Sequence, residues 1–137
     1  MVWTGAEVLV VGGLTSTKPG HYADSVAYNP TTNGWRRLPA MGIDRFQPDA
    51  VWTGSRLLVW GGATLPANGQ GNAGTPPYGV AYAPASNSWS ALPESPLRGR
   101  TGAVAVWTGT EMIIWGGFGI PNGEPLTDGA VYLPPTT

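Results

Sequence analysis

Side chains able to do acid–base or metal chemistry are scarce in this sequence. Its 137 residues include one histidine, His21, and no cysteine. A His/Cys/carboxylate metal centre cannot be assembled from that stock, so neither a metal nor another cofactor is expected. A Ser-His-Asp triad would have to recruit His21, and no G-x-S-x-G nucleophile elbow is present. His21 is a candidate contact residue more than a candidate catalyst, and no catalytic residue is assigned. Three glycine pairs, Gly12-Gly13, Gly61-Gly62 and Gly116-Gly117, could be mistaken for phosphate-cradling loops. They lack both the G-x-G-x-x-G and the G-x-x-x-x-G-K-[ST] spacing, and no helical pattern follows them.

Those pairs belong to an internal repeat, which is the first thing to seek in a chain of this kind. Trp3-Thr4-Gly5 recurs as Trp52-Thr53-Gly54 and Trp107-Thr108-Gly109. Each glycine pair begins nine residues after its Trp. A Tyr closes the next apolar run, as Tyr28, Tyr82 and Tyr132, and Trp35 and Trp89 follow the first two by seven residues. The period is 49 residues for the first step and 55 for the second.

Each unit reads as four short strands, A to D, punctuated by the 21 Gly and 14 Pro, which would break helices. The Thr-Gly after each strand A Trp suits a tight A–B turn, and segments 29–34 and 83–88 suit the C–D turn. Strand B is apolar at every position in Val8–Val11, Leu57–Trp60 and Met112–Trp115. A strand with one wet face should alternate; continuous apolarity predicts a sheet sandwiched between similar sheets. Register in the repeat makes the Gly pairs, Tyr28, Tyr82, Tyr132, Trp35 and Trp89 structural residues. Trp60 and Trp115, just before two glycine pairs, read as packing too. Asp24, Tyr78 and Asp128 share one repeat position and read as strand-end caps.

Gly-Gly after an apolar strand, then Tyr, then Trp, at a period near 50 residues, resembles the kelch repeat. Arg45 and Arg100 add to the likeness, each seven residues before a strand A Trp. The resemblance covers essentially all of 1–137 and implies an all-β chain of about three four-stranded antiparallel propeller blades. The blades would be 1–39, lacking most of strand A, 40–93, and 94–137, lacking strand D. It also implies that strand A lines a central channel. Propellers usually have four to eight blades, so an open arc is expected, completed by further blades or by self-association.

Comparing the units locates the variation. The A–B and C–D spacings are constant, whereas the interval from the second Gly to Tyr is 15, 20 and 15 residues, and the D–A interval is 17 then 18. In an antiparallel sheet alternate turns share an end, so both variable segments fall on one face. Loops carry recognition on a rigid scaffold. That face holds Lys18, His21, Tyr22, Asp44, Arg45, Phe46, Glu94, Arg98, Arg100 and Glu124. His21, Tyr22, Arg45, Phe46, Arg98 and Arg100 are the expected binding set, because Arg with aromatics suits protein recognition.

The net charge is -1, which provides no basic footprint for nucleic acid. No apolar run nears the ~18 residues of a membrane helix, and the start, MVWTGAEVLVVGG, has no basic leader. A soluble chain is expected, its compartment unknown. The sequence favours a non-catalytic module binding a protein partner. The alternative is part of a carbohydrate-active or sugar-binding propeller. Kelch propellers include galactose oxidase, whose Cys and His needs this chain does not meet, and a sialic acid mutarotase, which needs only polar side chains.

Overall fold

The computed structural model describes residues 1–13, 25–42, 45, 47–64, 74, 76–120 and 122–135. These contain eleven strands and no helix. The first sheet is β1 (Val2–Trp3), β2 (Val8–Val10), β3 (Val26–Asn29) and β4 (Gly34–Arg37). The second is β5 (Asp49–Trp52), β6 (Leu57–Trp60), β7 (Gly79–Ala83) and β8 (Ser88–Ala91). The third is β9 (Val104–Trp107), β10 (Met112–Trp115) and β11 (Gly129–Tyr132). Within each sheet sequential strands are antiparallel neighbours. The register is the same in each unit, with Val8 opposite Tyr28, Leu57 opposite Tyr82 and Met112 opposite Tyr132.

The turns follow from their residues. Thr4, Thr53 and Thr108 each accept from the backbone N–H three residues on, at 2.9, 3.0 and 3.0 Å, closing the A–B turns. Asn33 and Asn87 take positive φ in the C–D turns, a conformation Asn tolerates better than most residues. Their side chains accept from Tyr28 Oη at 2.9 Å and Tyr82 Oη at 2.8 Å.

The sheets stack face to face around two apolar cores. Leu9, Val11 and Ala27 of the first unit meet Leu57, Val59, Val80 and Tyr82 of the second, together with Leu38 and Met41. On the other side of the second sheet, Val51, Leu58, Trp60 and Ala81 meet Met112, Ile114 and Leu97. Alternate residues of β6 therefore enter different cores, and all four are buried. That is the double-sided burial its unbroken apolarity predicts.

The flanking sheets depart from the expectation, because no described sheet covers their outer faces. In β10 Met112 and Ile114 are buried while Trp115 is 57% exposed. Trp35, expected as packing, is 67% exposed, whereas its counterpart Trp89 is packed against the first core. Both lie beside the Tyr of the paired strand: the Tyr28–Trp35 and Tyr82–Trp89 ring centroids lie 4.8 and 5.2 Å apart.

Candidate functional site

The D–A connectors and the glycine pairs that close each strand B meet at one end of the sheets, and two arginines organise that end. The Arg45 carbonyl accepts from Gly13 N–H at 3.4 Å, and its Nη1 donates to Gly61 O at 2.7 Å. One unit later the Arg100 carbonyl accepts from Gly62 N–H at 3.0 Å, and its Nη1 donates to Gly116 O at 3.0 Å. Each arginine thus ties the glycine pair of one sheet to the glycine pair of the next.

The glycines are required by this closeness. Gly12 and Gly61 have φ of 69° and 68°, which favours residues without Cβ. A Cβ on Gly12 would lie 2.6 Å from the Arg45 carbonyl oxygen, and one on Gly61 3.0 Å from that of Arg100. Gly12 and Gly61 are backbone-approach sites.

Tyr78 and Asp128, at one repeat position, supply what each guanidinium faces, a role beyond strand-end capping; Asp24 lies outside the described residues. Arg100 donates to Asp128 Oδ1 at 2.7 Å and to Asp128 O at 3.2 Å, while its Nε donates to Arg98 O at 3.0 Å. That hydrogen bond, with the positive charge behind it, holds the Asp128 carboxyl below its usual range. Arg45 instead sits over the Tyr78 ring, 5.5 Å from its centroid, a cation–π contact. Burial lowers the Arg45 pKa, and Tyr78 opposes that shift.

Neither arginine is a free contact residue. Both side chains are 0% exposed; Nη1 of each, and Arg100 Nε, donate to backbone or to a neighbouring unit, while Arg45 Nε and Nη2 and Arg100 Nη2 have no partner among the described residues. The expectation that Arg45 and Arg100 meet a ligand at the loop-lined face is corrected accordingly: both guanidinium groups are buried, and a glycine carbonyl accepts from Nη1 of each. Arg98 is different. It is half exposed and forms an ion pair with Glu124 across the D–A connector and the third B–C loop. Backbone hydrogen bonding first, and Arg98 second, keep the Glu124 carboxyl below its ordinary value. Phe118, in the same loop, is half exposed and bridges Thr101 and Pro125. His21, Tyr22 and Phe46, with Lys18 and Asp44, lie outside the described residues.

Asp49 opens β5 near the glycine pair. Burial pushes its carboxyl up to about 6, and its Oδ2 has no hydrogen-bond partner among the described residues. Among those residues no group of three His, Cys, Asp or Glu side chains could hold a metal.

Known proteins agree with this architecture. Superposition on YjhT, a kelch-type β-propeller, gives a TM-score of 0.67 over 82% of this chain and 42% of that one, at 20% identity. The fold is that of kelch-type propeller blades. In sequence the chain is 26% identical over 132 residues to an F-box/kelch-repeat protein of Arabidopsis thaliana, covering 96% of this chain and 32% of the relative. It therefore spans about a third of that relative's length. No family model matches the chain.

Sequence reasoning missed the double use of each arginine, although its signal was present: Arg45 and Arg100 recur at one offset from the glycine pairs. It also missed the Tyr–Asn staples, whose Asn residues sit five positions after each Tyr.

Proposed function

We propose that the chain is a non-catalytic interaction module whose B–C/D–A face binds a protein partner. The observation carrying this reading is the arginine–glycine ladder. Through each D–A connector it fixes the glycine pairs of successive sheets to one another, while the second of the B–C segments that follow those pairs is five residues longer than the other two. A rigid rim bearing variable loops is the usual build of a recognition surface. Among the described residues the contact groups of that face are Arg98, Glu124 and Phe118; His21, Tyr22 and Phe46 complete the proposed set. The likeness to an F-box/kelch-repeat protein supports a protein partner over a small molecule.

The test is affinity capture with paired variants. Arg98→Ala/Phe118→Ala alters the proposed face, and Thr31→Ala/Ser86→Ala alters the opposite, C–D end. A protein retained by wild type and the second variant but lost by the first supports the reading. Loss by both, or by neither, rejects it. Saturable sugar binding with anomer exchange, and no captured protein, would favour the carbohydrate alternative instead.

A further inference from the structure

We draw no further inference here: the strongest candidate, the cluster of Arg45, Asp49 and Arg100 side chains around the Gly61-Gly62 pair, with Arg45 Nε and Nη2, Asp49 Oδ2 and Arg100 Nη2 unpartnered among the described residues, belongs to the arginine–glycine rim already described, and nothing in the structure shows what those atoms would hold.

Discussion

Arg45 Nη1 lies 2.7 Å from the Gly61 carbonyl oxygen, and the carbonyl of the same arginine receives the Gly13 N–H from the preceding sheet. One residue thereby joins two blades through both its backbone and its side chain. Arg100 repeats the arrangement and adds Asp128. Removing the Arg100 side chain would leave the Gly116 carbonyl without its charged donor. Hydrogen bonds to charged groups contribute about 1.5–3 kcal/mol, against total stabilities of about 5–15 kcal/mol. Arg100→Ala should lower the stability from urea denaturation by about 2–3 kcal/mol. Arg100→Lys should recover less than half, because a single ammonium cannot serve Gly116, Asp128 and Arg98 together. An unchanged midpoint in Arg100→Ala would remove the ladder from the account of stability.

The two strand D tryptophans should respond differently to the same substitution. Trp89 packs against the first core and donates to Pro39, whereas Trp35 is 67% exposed with Tyr28 as its ring neighbour. Truncating a packed Trp costs about 3–5 kcal/mol; changes at exposed positions usually stay within about 0.5 kcal/mol. Trp89→Ala should bring the chain near unfolding, and Trp35→Ala should shift the denaturation midpoint only slightly. Comparable losses for both would mean that Trp35 is covered in solution.

This contrast shows where the sequence stops being legible. The spacing of Trp3, Gly12, Tyr28 and their counterparts carries sheet order, register and turn positions, because each unit must satisfy the same backbone geometry. Burial is not a property of one unit. Trp35 and Trp89 have the same local pattern, and only the presence of a neighbouring sheet separates them. The arginines were misjudged for a related reason. Their charge suggested a wet face, but the sequence does not display the carbonyl oxygens that wait at the strand ends. The B–C loops and D–A connectors lack any repeat constraint on length, so the candidate contacts His21 and Tyr22 of the first and Phe46 of the second had the least pattern behind them.

A pH dependence follows from Asp49. Burial raises its carboxyl from 3.8 to about 6, so the folded state holds the proton more tightly than the unfolded state. By linkage, stability must fall as pH rises through the interval from about 4 to about 6 and level off above it. Asp49→Asn removes the cost of the buried charge. The variant should be more stable than wild type at pH 7, match it near pH 4, and lose the slope between. Thermal melts at half-unit pH steps would check this, and an identical slope in the variant would rule out Asp49 as its source.

The outer faces of the first and third sheets predict association. Trp3 and Trp35 are exposed on the first sheet, and Val104, Val106, Trp115 and Val131 on the third. By repeat position these are the two halves of an interface the chain already makes. Trp52 and Trp89, the counterparts of Trp3 and Trp35, pack against the first core, and Trp60, the counterpart of Trp115, is buried in the second. Apolar patches of this kind mark association surfaces. Unlike faces meeting head to tail give a heterologous contact that either closes into a ring or propagates. The purified chain should bind apolar dyes and show an apparent mass that rises with concentration in light scattering. Val106→Asp combined with Trp115→Arg should suppress both, since an ion pressed into an apolar interface without a partner is costly. Those substitutions touch only the third sheet's outer face, so the two cores should keep their denaturation midpoint. A wild-type chain that stays monomeric at all concentrations and binds no dye would show that the exposed faces do not seek each other.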